Sequence, residues 1–221
     1  MAGQAGTARK PGRPGPSDPA VPEERDILLR GLETFAELGY DRTSARELAR
    51  RLGVSHNFIY DRYGSKAAFW RAVVDAALGS QLGRMAPLDP SLDDADTLRQ
   101  VITDFYRTTQ GTPHLGRLCA DEFSRDTERL DYLYDRYIEP TLASIVPSID
   151  RLVAAGRMSH VPMDVLFFAV ISPVMGLVQT PLAERLGRPR PASRAESDAT
   201  ADRLAELVIS GLLGGTRRVQ E

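Results

Sequence analysis

Four polar side chains lie close together in the first third of the chain: Ser55, His56, Asn57 and Tyr60. Their hydroxyl, imidazole and amide groups donate and accept hydrogen bonds, and their spacing places them on one side of a short helix. Short polar side chains at the front of a helix are suited to reading base edges in the major groove of DNA. We therefore expect a DNA contact here, in which His56 and Asn57 read bases.

The residues just before this group form a helix of their own. Ser44 begins it and Glu47 follows three residues later, which is the spacing of a capping box. Gly53 ends it, because glycine adopts a left-handed conformation at little cost. Its apolar side chains recur with helical spacing: Ala45, Leu48, Ala49 and Leu52.

A second short helix is expected directly after Gly53. Val54 is placed to fill the angle between the two helices, and Ser55 is expected to cap the second one. Ile59 and Tyr63 lie four residues apart and face inward. Two helices around such a turn indicate a helix-turn-helix, although most helical hairpins joined by a glycine turn serve packing alone.

Positive charge is concentrated in the same segment. Residues 42–66 contain six cationic side chains and two carboxylates, in a chain whose net charge is −2. This balance suits a surface that meets phosphates, although arginines on a helix are more often a solvated face. The predicted DNA contacts are Thr43, Ser44, Arg46, Ser55, His56, Asn57, Phe58, Tyr60, Arg62 and Lys66.

An ordered set of residues in the N-terminal third extends the helix-turn-helix pattern on both sides: Phe35, Ala36, Gly39, Tyr40, Thr43, Leu48, Ala49, Gly53, Val54, Ser55, Ile59, Tyr60, Tyr63, Ser65, Lys66 and Phe69. Through these positions, the N-terminal third resembles the DNA-binding domain of the TetR family of bacterial transcriptional regulators. The resemblance covers about a fifth of the chain, and departures from the usual pattern occur at Asn57, Arg62, Tyr63 and Gly64. A weaker resemblance to the family's effector-binding and dimerisation domain rests on Arg117, Leu118, Glu122, residues 138–140, Phe168, Gly176 and residues 211–213.

Composition narrows the class of protein. A chain of 221 residues with 42% hydrophobic and 26% charged residues is typical of a globular protein. Cys119 is the single cysteine, which excludes an intrachain disulfide and offers no zinc cluster. The N-terminus lacks the apolar stretch of a signal peptide, so we expect a cytoplasmic protein that is not inserted in a membrane.

The chain divides into three parts, all without strand alternation. Residues 1–21, rich in glycine and proline, are expected to be a disordered tail, or alternatively an arm that reaches DNA. Residues 22–82 form the helix-turn-helix domain, whose last helix links it to the rest. A break at residues 83–90 separates it from a larger helical domain, residues 83–221. The predicted fold class is all-α.

Two apolar helices stand out in the C-terminal part. The stretch 165–178 is too short for a bilayer span, and a second such helix covers 201–213. Two helices of this kind suit a four-helix dimer interface around a twofold axis. A loop at residues 187–197 is expected between them.

A ligand pocket is expected among the central helices, lined by aromatic and sulfur-containing side chains that suit an apolar ligand with few hydrogen bonds. For each single residue, ordinary core packing is the competing interpretation. The candidates are Phe105, Tyr106, Cys119, Phe123, Tyr134, Tyr137, Phe168, Met175 and Gln179.

The resemblance implies a homodimer that binds a palindromic DNA operator, represses transcription and is released by a small, mostly apolar effector. It implies neither a cofactor nor a metal ion nor a catalytic residue. Two alternatives from other classes stay open. An enzyme could use His114, Cys119, Asp121 and Glu122 beside a central pocket, and a helical module could bind another protein through its first helices.

Overall fold

The computed structural model describes residues 22–214, apart from the side chain of Met175. The expected tail at 1–21 lies outside the described residues, as does the segment 215–221. All regular secondary structure within 22–214 is helical, which confirms the predicted all-α fold. They are α1 Glu24–Leu38, α2 Ala45–Leu52, α3 Phe58–Tyr63, α4 Lys66–Leu82, α5 Asp94–Gln110, α6 Pro113–Phe123, α7 Glu128–Leu133, a π-helical segment Tyr134–Ile138, α8 Glu139–Ala154, α9 Met163–Val178, α10 Thr180–Arg185 and α11 Arg194–Leu213.

Helices α1 to α4 pack around a set of buried side chains that we call the first core. Gly31 of α1 allows α4 to come close, since a Cβ added there would lie 2.7 Å from Phe69 Cζ and 2.8 Å from Val73 Cγ2. The first core also takes in α6 and α7 and contains Ile27, Leu32, Phe35, Ala36, Leu48, Leu52, Ile59, Phe69, Trp70, Val73, Val74, Leu115, Leu118 and Leu133.

Trp70 lies where the helix-turn-helix unit meets α6 and α7. Its side chain is 1% exposed, and its ring stands edge-on to those of Tyr40 and Tyr132. The helical break at residues 83–93 is therefore not the boundary of packing. The first core extends across it to α6 and α7.

The remaining long helices enclose a separate second core. It is built from α5, α8, α9 and α11, and Tyr106 at its centre donates its hydroxyl to the carbonyl of Val170 at 2.7 Å. Its other members are Ala95, Leu98, Ile102, Ile149, Leu152, Met158, Leu166, Val174, Ala201, Ala205 and Ile209.

Local features interrupt the regular order of long helices. A widened turn, the π-helical segment, precedes Pro140, and Pro147 is accommodated inside α8. An additional short helix, α10, precedes the loop expected at 187–197, and α11 begins at Arg194, within that loop. In the part of the chain that is described, no helix is both long and apolar enough to cross a lipid bilayer.

Candidate nucleic-acid interface and adjoining cavity

The front of α3 presents exposed polar side chains that we call the recognition face: Ser55, His56, Asn57 and Tyr60. Tyr60 is 54% exposed, whereas Ile59 beside it is fully buried in the first core. None of the four side chains forms a hydrogen bond or ion pair within residues 22–214. The buried Ile59 therefore fixes the helix while the polar groups remain available to a partner.

The turn before α3 sets how this face is displayed. Gly53 has φ 71° and ψ 32°, the left-handed conformation expected of it at the end of α2. The predicted cap at Ser55 is wrong, because α3 begins only at Phe58 and Asn57 occupies the cap position without a side-chain bond. Phe58 N instead donates to the carbonyl of Ser55 at 3.1 Å. Residues 55–57 thus form a turn whose side chains are not used for capping.

Only half of the predicted capping box on α2 forms. Ser44 Oγ accepts from Glu47 N at 3.1 Å, which confirms Ser44 as the cap. The Glu47 carboxylate accepts hydrogen bonds from Arg50 and Arg51 instead, and these bonds lower its pKa to about 2. Arg51 also pairs with Glu37.

Much of the positive charge counted from the sequence is therefore already paired. Arg62 joins Glu24 at 2.8 Å, in addition to the two arginines held by Glu47. Arg46 is exposed and has no ion pair in the described range. Arg42 is exposed, and its Nε donates to the carbonyl of Leu38.

Two predicted DNA contacts are buried, one fully and one in part. Thr43 is fully buried and its hydroxyl donates to the carbonyl of Gly39 at 2.7 Å, so it cannot reach a phosphate. Phe58 is half-buried and packs against Tyr63, with ring centroids 6.4 Å apart. Thr43 is therefore removed from the set of predicted contacts, whereas Phe58, which is partly exposed, stays in that set as a prediction.

Lys66 joins the start of α4 to the loop before α2. Its ammonium donates to the carbonyls of Tyr40 and Thr43 at 3.1 and 3.0 Å, and burial lowers its pKa. An ammonium has three donors, so one is left for a phosphate.

Tyr40 also connects this loop to α6 and α7. Lys66 Nζ and the Arg129 guanidinium lie 4.0 and 4.1 Å from its ring centroid. Arg129 Nε is in turn 2.9 Å from both oxygens of Glu122, which is only 2% exposed. Cations close to an aromatic ring, together with a buried ion pair, bind the two parts of the first core to each other.

A cavity of about 490 Å³ lies between the first and second cores. Its walls come from α4, α5, α6, α8, α9 and the π-helical segment. Tyr137 of that segment faces the cavity, and its hydroxyl donates to Asp75 of α4 at 2.6 Å. A molecule placed here would therefore touch α4, the helix that joins the recognition unit, α1 to α3, to the rest of the chain.

Five of the predicted pocket residues line this cavity: Phe105, Cys119, Phe123, Tyr137 and Phe168. Three others do not. Tyr106 is sealed in the second core, Tyr134 is 46% exposed on the outer side of the π-helical segment, and Gln179 is exposed ahead of α10. The side chain of Met175 lies outside the described part of the structure.

Sequence reasoning missed Gln81, which is 5% exposed and lines the cavity from α4. A signal was present, since Gln81 falls seven residues after the buried Val74 on an otherwise apolar stripe. A polar side chain at such a position needs a partner when buried.

Two of the residues that suggested an enzyme, Cys119 and Glu122, are held in states that do not suit catalysis. Burial raises the pKa of the Cys119 thiol to about 12, so it is not a thiolate at neutral pH. Glu122 is held by Arg129. Within residues 22–214, no group of His, Cys, Asp and Glu side chains is arranged to hold a metal ion.

Comparison with known proteins agrees with the interpretation of the first helices as a DNA-binding helix-turn-helix. Residues 27–73 match the model of bacterial regulatory proteins of the tetR family. YezE of Bacillus subtilis (strain 168), an HTH-type transcriptional regulator, is 30% identical over 81 residues, which span 37% of this chain and 40% of that protein. The nucleoid occlusion factor SlmA of Vibrio campbellii is 25% identical over 162 residues, 69% of this chain and 80% of its own.

The fold as a whole also has counterparts among solved structures. The ketosteroid transcriptional regulator KstR2 of Mycobacterium tuberculosis superposes with a TM-score of 0.65 at 16% identity, covering 86% of this chain and 94% of its own. At that identity the likeness concerns the fold. The matched segment assigns residues 27–73 to the helix-turn-helix DNA-binding domain of the tetR family, set here in an all-helical chain.

Proposed function

We propose that the protein is a ligand-responsive repressor that binds a palindromic DNA operator as a homodimer through the recognition face. The observation that carries this proposal is the front of α3, where four polar side chains are exposed and unbonded while Ile59 holds the helix from behind. In this proposal His56 and Asn57 read bases, since imidazole and amide groups match the donors and acceptors of base edges.

Phosphate contacts would come from the groups around the recognition face. Arg46 supplies an unpaired exposed cation, and Ser44, Ser55 and Tyr60 supply exposed hydroxyls. Lys66 has one remaining donor. Such contacts position a protein on the duplex without reading its sequence.

Dimerisation is proposed through α9 and α11. Val165 and Phe168 on α9 are 51% and 53% exposed, and Leu207 on α11 is 72% exposed. Gly176 and Gly211 are also exposed, with open space where a Cβ would stand. Apolar and small residues on two adjacent helices allow a second copy to pack closely, and the twofold axis would place two recognition faces about 34 Å apart.

The cavity is the proposed effector site. Its volume lies in the range of about 300–1,000 Å³ that small-molecule pockets occupy, and its lining is almost entirely apolar. The dimer would exist in two states, one with the recognition faces at the spacing of the operator and one with a different spacing. A ligand that binds the second state more tightly would lower operator affinity, by an amount set by the ratio of its affinities for the two states.

DNA binding is tested by titrating a duplex with the protein at several salt concentrations. We expect the affinity to fall steeply as salt rises. Arg46→Ala should make the slope of log affinity against log salt concentration shallower by about one, which corresponds to the loss of one phosphate contact. Arg185→Ala on α10 is the matched control and should leave the slope unchanged. A protein that binds no duplex at low salt would refute the proposal and favour a protein-binding module.

The dimer is tested by sedimentation of Gly176→Leu beside Gly79→Leu. Both glycines are exposed on helices, with no neighbouring atom within 4 Å of an added Cβ, but only Gly176 belongs to the proposed interface. We expect Gly176→Leu to sediment as a monomer and Gly79→Leu as a dimer. An unaltered dimer in both variants would reject α9 as the interface.

A further inference from the structure

The cavity carries no charge at neutral pH. No Lys, Arg, His, Asp or Glu is among the described residues that line it. Its two titratable groups, Cys119 and Tyr137, remain protonated because burial raises the pKa of each to about 12. A carboxylate or phosphate inside would lose its hydration and find no cation, which opposes its binding. The part of a bound ligand that lies inside the cavity is therefore expected to be uncharged.

Most hydroxyl protons around the cavity are already engaged. Tyr137 donates to Asp75, Thr141 Oγ1 donates to the carbonyl of Tyr137 at 2.6 Å, and Ser124 Oγ donates to the carbonyl of Asp121 at 2.7 Å. These groups cannot donate to a ligand without first giving up a bond within the protein.

Gln81 is different, because its amide has a fixed orientation and an unused acceptor. Thr109 Oγ1 donates its single proton to the carbonyl of Phe105 at 2.8 Å. It must therefore accept at its other contact, so Gln81 Nε2 is the donor across their 2.9 Å bond. The carbonyl Oε1 is left as the free end of the amide, and no donor among residues 22–214 is bonded to it.

A ligand that supplies a donor would give this carbonyl oxygen the hydrogen bond that it lacks within residues 22–214. The Gln81 side chain is only 5% exposed, yet it lines the cavity. The uncharged wall and the unbonded carbonyl of this buried, oriented amide together point to a hydroxyl donor as the polar group that suits the cavity.

Resting on the proposed effector role of the cavity, we infer that its ligand is an uncharged, mainly apolar molecule with a hydroxyl group that donates to Gln81 Oε1. Gln81 belongs to α4, which also contributes Phe69, Trp70 and Val73 to the first core. The ligand hydroxyl would thus bond directly to the helix that supports the recognition unit, and its apolar body would touch α5, α8 and α9 on the other side.

The test compares three eight-carbon probes by calorimetric titration: octanol, its isomer heptyl methyl ether and octanoate. Octanol offers a donor, the ether offers none, and octanoate adds a charge. We expect octanol to bind about tenfold more tightly than the ether, as one hydrogen bond to a buried acceptor provides. Octanoate should bind more weakly than octanol by at least tenfold.

The variant Gln81→Met keeps an unbranched side chain of similar size and removes the amide. We expect it to bind octanol and the ether equally, with the ether affinity of the unmodified protein retained. Gln179→Met, at an exposed glutamine outside the cavity, is the control and should preserve the tenfold preference.

The outcomes separate this inference from the function it rests on. Equal binding of octanol and ether by the unmodified protein, or an undiminished preference in Gln81→Met, would overturn the role of Gln81 and leave the cavity a ligand site. Tighter binding of octanoate would overturn the uncharged ligand class. Failure of all three probes to bind, with DNA binding intact, would overturn both this inference and the effector part of the proposed function.

Discussion

The two hydrophobic cores differ in how completely one chain closes them. The first core, which holds the recognition unit, contains side chains as large as Trp70 and Phe69 at 1% exposure or less. The region of the second core leaves large apolar side chains in solvent, among them Phe168, Leu186 at 79% and Leu207 at 72% exposure. Apolar surface of this extent on an otherwise polar molecule marks interaction sites. The first core is therefore closed within one chain, whereas the region of the second leaves the apolar surface through which we propose that a second copy packs.

The cavity lies at the boundary of the two cores and touches both. Leu78 and Gln81 of α4 form one wall, and Ile145 and Phe167 belong to the other. Packed cores change between discrete arrangements because they deform little. A ligand at the boundary can therefore alter how a rigid recognition unit sits on the rest of the molecule, without unfolding either part.

The largest expected effect comes from breaking the ion pair inside the first core. Arg129→Leu leaves Glu122 buried without a partner, and we expect the free energy of unfolding to fall by about 3–5 kcal/mol. Arg157→Leu removes the pair with Asp93 beside the second core, where both side chains are more than half exposed, and should cost at most about 1 kcal/mol. Denaturant unfolding measures both, and equal losses would contradict the difference between the cores.

A smaller effect distinguishes the buried Gly31 of α1 from the exposed Gly79 of α4. Gly31→Ala forces a methyl group against Phe69 and Val73, so we expect a loss of about 1–3 kcal/mol in unfolding free energy. Gly79→Ala adds a methyl group in open space on α4 and should stabilise the protein by about 0.5–1 kcal/mol. Opposite signs in thermal unfolding would support the close packing of α1 on α4, and a stabilising Gly31→Ala would disprove it.

The smallest effect concerns the charges next to the recognition face. Glu47→Gln weakens the hold on Arg50 and Arg51, so we expect a few-fold gain in affinity for random duplexes and a steeper salt dependence. The pKa of Glu47 is depressed to about 2 from 4.5, so its pairs are present above pH 4.5 and are lost as pH falls toward 2. The variant should therefore differ from the unmodified protein equally at pH 6 and pH 8. A gain that changed between those values would point to another group.

The parts of the molecule that sequence predicts well are local. Ser44 caps α2 and Gly53 ends it because a hydroxyl and a left-handed turn act within a few residues. The pattern of buried Leu48, Leu52 and Ile59 follows from helical periodicity in the same way.

The parts that sequence predicts poorly depend on the tertiary arrangement. Thr43 is buried where Lys66, 23 positions along the chain, donates to its carbonyl, and the pair between Arg62 and Glu24 joins residues 38 positions apart. The cavity needs six elements together, so Tyr106 and Tyr134 could not be separated from Tyr137 by spacing alone. The free acceptor of Gln81 depends on a bond made by Thr109.

The most direct test of the account is to select bound duplexes from a random pool with the unmodified protein and with Asn57→Ala. The account predicts a twofold-symmetric consensus for the unmodified protein. It also predicts that Asn57→Ala loses discrimination of about 1–3 kcal/mol at symmetry-related positions of that consensus. Tyr60→Phe, carried through the same selection, should weaken binding while keeping the consensus, since it removes a phosphate contact only. An asymmetric or absent consensus, or an Asn57→Ala profile identical to that of the unmodified protein, would contradict the recognition face as the reader of the operator.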